Sequence, residues 1–212
     1  MRVKFCGITN LDDALEAERL GAWAIGLNHW PQSVRFCEPA AAAEISAAVK
    51  RRLEVVGVFV NPTLDELVHA AEDASLTMLQ LHGGEGAAFC REVARRTGCK
   101  VIKAMRVRSA AEVQAVEAYR TDFHLLDTHR SGTHGGTGES FDWDLVADRR
   151  SEVPLILAGG LTPDNVDEAI AVTHPFAVDV ASGVESESGV KDHGLMAAFA
   201  ERAQAVAAGD SA

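Results

Sequence analysis

Five short apolar runs in this chain each stop at a reactive or flexible residue. Val3-Lys4-Phe5 ends at Cys6-Gly7, and Met78-Leu79-Gln80-Leu81 ends at His82-Gly83-Gly84. Phe123-His124-Leu125-Leu126 ends at Asp127-Thr128, Leu155-Ile156-Leu157-Ala158 at Gly159-Gly160, and Val178-Asp179-Val180-Ala181 at Ser182-Gly183. If the runs are parallel strands, all five ends share one rim of one sheet. In a closed α/β barrel that rim is where active sites are built. The pattern therefore gathers residues from most of the chain into one place.

The surrounding pattern alternates strand and helix to the end of the chain. Strands are expected near 2–6, 23–27, 54–60, 77–82, 100–106, 122–127, 154–158 and 177–181. Most are continuous Val, Ile, Leu and Ala rather than strictly alternating, as parallel strands covered on both faces are. Helix starts are legible between them. Thr63-Leu64-Asp65-Glu66 and Ser109-Ala110-Ala111-Glu112 have the form of capping boxes. Leu64, Leu67, Val68 and Ala71 form the first apolar stripe, and Val113 and Val116 belong to the second. Thr162-Pro163 reads as a cap followed by a first-turn proline, with Val166, Ala169 and Ile170 on the buried face. Asp192 is expected to cap the last helix, burying Leu195, Met196, Phe199 and Ala203. Eight such units favour a single-domain (β/α)8 barrel of the TIM type over 1–205, with a frayed tail at 206–212. An open doubly wound sheet is the rival, but it would place its glycine loop after the first strand, and here the glycine turns come late.

A length of 212 residues suits one such barrel, and 47% hydrophobic residues suffice for a substantial core. The net charge of −11 argues against a nucleic-acid surface, which needs clustered Lys and Arg. No apolar run reaches membrane-span length, so no membrane partner is expected. Arg51-Arg52 and Arg95-Arg96 sit where they complement helix C-termini. Cys6, Cys37, Cys90 and Cys99 lack metal-site or redox spacing and read as reduced thiols of a cytoplasmic protein. No metal and no cofactor is expected.

Each candidate site residue has a bland alternative. Gly159-Gly160 and Ser182-Gly183 follow the last two strands, where barrels often hold a phosphate; otherwise they are only tight turns. The polar stretch Asp127 to Gly138, with Gly135, Gly136 and Gly138, reads as a binding loop or as a surface loop. Cys6 is either a small buried apolar residue or a base, and a base must be a thiolate supported by positive charge. Asp127 closes an apolar run, a costly place for a carboxylate unless it is solvated, paired or used. Together at one rim, Cys6 and Asp127 look like a base and an acid. Arg35 suits a carboxylate or phosphate, or is a solvated surface residue. His82 reads as a structural histidine capping its own loop, and Asp179 needs a partner or solvent in the barrel mouth. Cys37, Cys90 and Cys99 read as structural. Trp23, Trp30 and Trp143 read as packing groups, with Trp30 also a candidate border of a ring pocket.

Lys4-Phe5-Cys6-Gly7-Ile8-Thr9, Gln80-Leu81-His82-Gly83, Leu126-Asp127, Gly135-Gly136-Thr137-Gly138, Leu157-Ala158-Gly159-Gly160-Leu161 and Val178-Asp179-Val180-Ala181-Ser182-Gly183-Val184-Glu185 occur in this order. Over nearly the whole chain they resemble the phosphoribosylanthranilate isomerase family. The resemblance implies conversion of N-(5'-phosphoribosyl)anthranilate to 1-(2-carboxyphenylamino)-1-deoxyribulose 5-phosphate, a cofactor-free Amadori rearrangement of tryptophan biosynthesis. It implies Asp127 as general acid and Cys6 as general base. It places Arg35 at the anthranilate end, His82 and Asp179 in the substrate pocket, and Gly136, Gly159, Gly160, Ser182 and Gly183 around the phosphate. The partner implied is a small phosphorylated substrate, met by a monomer or homodimer. The stretch after the second strand departs from the family, reading Leu27-Asn28-His29-Trp30 and then Ser33-Val34-Arg35 where an aromatic-rich stretch and Ser-Pro-Arg are common. The rivals are a histidine-pathway aminoaldose isomerase, which typically carries a carboxylate at the first-strand position, a non-catalytic barrel that binds a phosphorylated metabolite, and a redox role for Cys6.

Overall fold

Eight parallel strands close into a barrel in the computed structural model, which describes residues 1–127, 143–147 and 149–209. The strands run in chain order: β1 (Arg2–Cys6), β2 (Ala24–Asn28), β3 (Glu54–Phe59), β4 (Met78–Leu81), β5 (Lys100–Arg106), β6 (Phe123–Asp127), β7 (Leu155–Ala158) and β8 (Ala177–Val180). Each pairs with the next, and β8 returns to β1 with Lys4 opposite Asp179. The helices are α1 (Leu11–Arg19), α2 (Pro39–Val49), α3 (Leu64–Asp73), α4 (Ala87–Thr97), α5 (Ala110–Val116), α6 (Asp144–Ala147), α7 (Val166–Thr173) and α8 (His193–Gly209). A short hairpin, β9 (Glu185–Glu187) with β10 (Val190–Lys191), lies between β8 and α8. The barrel expectation is borne out, with strand bounds within one residue of the expected ones.

Apolar residues form two layers. Val3, Phe5, Leu79, Leu157 and Val178 face outward and pack with helix residues such as Leu67, Ala169 and Phe199. Val56, Met78, Ile102, Leu125 and Ile156 face inward and fill the barrel. Side chains alternate along a strand, so a continuous apolar run feeds both layers. At the N-terminal end Trp23, Phe123 and Phe176 close the barrel, with ring centroids 5.2–5.5 Å apart. Moving up three of the strands by two, the inward residues turn polar: Met78 to Gln80, Leu125 to Asp127, Ala177 to Asp179. The strands thus carry an apolar plug below and a reactive mouth above.

The caps refine the expected helix starts. Thr63 and Glu66 form the full reciprocal box at α3. At α5, Ser109 accepts from the Glu112 N–H, but Glu112 reaches one residue further back, to the Arg108 N–H at 2.6 Å. The expected start at Thr162-Pro163 is corrected: α7 begins at Val166. Thr162 instead closes a turn, its hydroxyl accepting from the Asp164 N–H while its own N–H donates to Asn165 Oδ1. Asp192 caps α8 by accepting from the Leu195 N–H. Leu195 is not buried as expected; it is 37% exposed, because the packed stripe runs Met196, Phe199, Ala200 and Ala203 and Leu195 flanks it. The α8 helix continues to Gly209, and residues 210–212 lie outside the described residues.

Candidate active site

A cavity of about 270 Å3 opens at the C-terminal mouth of the barrel. Its wall takes Cys6 from β1, Gln80 and His82 from the end of β4, Asp127 from β6 and Asp179 from β8. Gly159, Gly160 and Ser182 line it from the last two turns, and Arg35 from the segment after β2. The two groups read as base and acid therefore face one cavity. Gly136, assigned to the phosphate by resemblance, lies outside the described residues, as does the rest of 128–142.

Cys6 lies two residues after Lys4 on β1, so both side chains point into the barrel. Lys4 is fully buried and donates from Nζ to Asp179 Oδ1 at 2.7 Å. Asp179 thus has the partner that a carboxylate in an apolar strand requires. Burial pushes the Cys6 thiol above its ordinary pKa, and Asp179 adds to the rise; the nearby positive charges of Lys4 and Lys191 pull it back. Burial works against the Lys4 ammonium, but Asp179 and Cys6 outweigh it and raise its pKa. At neutral pH Lys4 is charged and the neutral thiol predominates.

Asp127 keeps 16% of its side chain exposed, with Arg106 Nε 3.8 Å away. Across the cavity, burial lowers the His82 pKa, partly countered by Asp127 and Asp179, so His82 enters neutral chemistry as an uncharged imidazole. Gln80 is buried, and its Oε1 has no hydrogen-bond partner among the described residues.

The turns after β7 and β8 interlock. Gly159 and Gly160 take φ of 100° and 64°, a left-handed backbone that suits glycine. Gly183 is pressed against the first turn: a Cβ there would stand 1.8 Å from the Leu161 carbonyl oxygen. Both turns form one seat at the position where barrels commonly take an anion.

Arg35 reaches the cavity edge, but not as a free cation. Its Nε and Nη2 both donate to Glu185 at 2.7 Å, and Glu185 also accepts from Lys191 Nζ at 2.7 Å and the Gly189 N–H at 3.1 Å. Burial would raise the Glu185 pKa, yet the hydrogen bonds from Arg35, Lys191 and Gly189 hold it down at about 2. Neither Glu185 nor Lys4 stands out in the sequence as a site residue; the only hint is a charge inside or just beyond an apolar strand. Lys103 is similar: buried on β5, it donates to Glu85 at 2.8 Å and to the Gly83 carbonyl at 2.7 Å, fixing the turn after His82.

Trp30 departs from its reading as a packing group, since it is 37% exposed. It lines a separate recess of about 410 Å3 with His29 and Phe59, whose rings stack at 4.7 Å. Trp23 and Trp143 are packing groups, as expected. Cys37 and Cys90 are buried, and Cys99 is half-buried, all three as free thiols.

Comparison with known proteins agrees with this geometry. A family profile described as N-(5'phosphoribosyl)anthranilate (PRA) isomerase matches residues 3–202. An N-(5'-phosphoribosyl)anthranilate isomerase of Citrifermentans bemidjiense is 46% identical over 191 residues, covering 90% of this chain and 91% of the relative. The crystal structure of phosphoribosyl anthranilate isomerase from Thermotoga maritima superposes with a TM-score of 0.88 at 42% identity, covering 97% of this chain and 99% of that one. A structure of phosphoribosyl anthranilate isomerase in complex with reduced 1-(o-carboxyphenylamino)-1-deoxyribulose 5-phosphate gives a TM-score of 0.85 at 40% identity, covering 97% of this chain and 99% of that one.

Proposed function

The chain belongs to the N-(5'-phosphoribosyl)anthranilate isomerase family, and from that premise we propose that its barrel mouth performs the Amadori rearrangement with Asp127 as acid and Cys6 as base. The enzyme isomerises N-(5'-phosphoribosyl)anthranilate to 1-(2-carboxyphenylamino)-1-deoxyribulose 5-phosphate in tryptophan biosynthesis. The convergence of Cys6 and Asp127 on one cavity carries the mechanistic reading.

The reaction divides into two proton transfers. Asp127 gives a proton to the ribose ring oxygen, the C1–O bond breaks, and nitrogen lone-pair donation leaves a protonated Schiff base. The iminium acidifies the C2–H bond. Cys6, as thiolate, takes that proton, and the C2 electrons form the enolamine, which tautomerises to the ketone. The iminium charge beside Cys6 Sγ favours the thiolate at the moment it is needed.

The remaining residues hold the substrate. Gly159, Gly160, Ser182 and Gly183 supply the seat for the phosphate, with Gly136 a further proposed contact. Arg35, braced by Glu185, meets the anthranilate carboxylate through its remaining donors. His82, Asp179 and the unpartnered Gln80 Oε1 face the sugar, whose hydroxyls supply donors. This chemistry needs no metal or cofactor. No group of three metal-ligating side chains occurs among the described residues. No helix among them is long and apolar enough to cross a membrane. We place the enzyme in the cytoplasm as a monomer or homodimer without a nucleic-acid partner.

The deciding assay supplies freshly generated phosphoribosylanthranilate and, separately, the histidine-pathway aminoaldose. Loss of the fluorescence of the N-ribosylated anthranilate with formation of the ketose is expected from the first. No turnover of that substrate would overturn the assignment.

A further inference from the structure

We propose that Lys4 is a positioning residue for this reaction: clamped by Asp179, its ammonium is the counter-cation against which Cys6 holds its thiolate. The inference rests on the reading of Cys6 as the base.

Three placements carry it. Strand alternation puts Lys4 and Cys6 on the same inward line of β1. Barrel closure then sets Asp179 directly opposite Lys4, with its carboxylate 2.7 Å from Nζ. On the other side of β1, Cys6 is paired in register with Gly26 of β2. A Cβ at Gly26 would lie 2.8 Å from Cys6 Sγ and 3.1 Å from Lys4 Nζ. The thiol and the ammonium therefore converge on the space a side chain would have filled, close enough for the charge of one to act on the other.

The burial of Lys4 gives this arrangement its meaning. No part of its side chain meets solvent. A buried ammonium has three donors to satisfy and no water to do it. One donor goes to Asp179, and the Cys6 thiol lies beside the same ammonium. A purely structural ion pair would account for the first and would not need a thiol beside it. With the thiol protonated, the Lys4–Asp179 pair is neutral and balanced. When the proton leaves, the same ammonium is already aimed at the new anion, so little reorganisation accompanies the change.

Cys6 is faced by charged or titratable groups from several elements: Lys4 on β1, Asp179 on β8, Lys191 on β10, and Arg35 after β2. His82 and Asp127 share its cavity. A titration assigned to Lys4 must therefore be read against variants of the others.

The test is alkylation of Cys6 by iodoacetamide between pH 6 and 11, followed by peptide mass spectrometry so that Cys37, Cys90 and Cys99 are counted apart. Lys4→Met keeps length and removes charge. Its alkylation midpoint is expected to rise by a unit or more, with kcat at neutral pH down at least tenfold and KM within threefold. An unmoved midpoint in a folded Lys4→Met protein overturns the proposal. If that variant does not fold, Lys4→Gln carries the test: it keeps a polar side chain without the charge, so the midpoint should rise in the same way. An unmoved or lowered midpoint there overturns it equally. Cys6→Ala separates the two readings. Retained turnover removes Cys6 as the base, and with it the part of Lys4 in the reaction. An inactive Cys6→Ala beside an unmoved Lys4→Met midpoint removes Lys4 alone.

Discussion

Arg35 and Glu185 grip each other through two parallel hydrogen bonds of 2.7 Å across the barrel mouth, although they come from opposite ends of the chain. The bidentate fork fixes the plane of the guanidinium, which then has one edge left for a ligand. Replacing Glu185 with Gln should loosen that plane without removing Arg35. A rise in KM of roughly tenfold, with kcat within about threefold, is expected from the loss of one oriented contact, about 1.4 kcal/mol. Steady-state kinetics on Glu185→Gln would show this, and an unchanged KM would separate the fork from substrate binding.

The same carboxylate makes the fold acid-sensitive. Its folded pKa of about 2 lies below its ordinary value of 4.5. A depressed carboxylate contributes stability that is present above pH 4.5 and drains away as pH falls toward 2. At about 1.36 kcal/mol per unit, the contribution is on the order of 3 kcal/mol. The Tm advantage of the natural protein over Glu185→Gln should therefore be largest above pH 5 and shrink toward pH 2. An advantage independent of pH would contradict it.

Cys6→Ala and Asp127→Asn should each lower kcat by roughly a thousandfold or more, within the usual contribution of a general acid or base. Far-UV circular dichroism should not change, because both side chains border a cavity rather than fill the core. Near-normal turnover in either variant removes that residue from the proton transfers.

Gly183→Ala tests the anion seat. A Cβ 1.8 Å from the Leu161 carbonyl oxygen cannot be accommodated without separating the two turns. Product affinity should fall more than tenfold by calorimetry, while a dephosphorylated analogue binds as weakly as before. An equal loss for both ligands would show general damage instead of a lost phosphate contact.

The barrel and its mouth were legible in the sequence because each strand's apolar run stops where the chain meets solvent and ligand. Cys6, His82, Asp127 and Asp179 were visible as run-ending or run-interrupting polar residues. Their partners were not. The pairing of Lys4 with Asp179 exists only once β8 closes onto β1, and no local window contains both. Glu185 looked like part of a terminal motif, because its role as the brace of Arg35 is set by a hairpin too short to announce itself. Thr162-Pro163 misled for a local reason: threonine and proline suit a turn as well as a helix start, and Asn165 settled the matter by accepting from Thr162. Leu195 was placed on the buried face because an apolar stripe read from sequence has no sharp edge.

Barrel closure also bears on when this molecule can first work. The thiol sits on the first strand of the barrel to be synthesised, while the carboxylate that steadies its neighbouring ammonium sits on the eighth. A nascent chain lacking its final strand holds a buried lysine without its counter-anion, an arrangement that penalises premature closure. Assembly of the reactive centre therefore waits on the eighth strand, and a product truncated before it should be unable to build a partly working one.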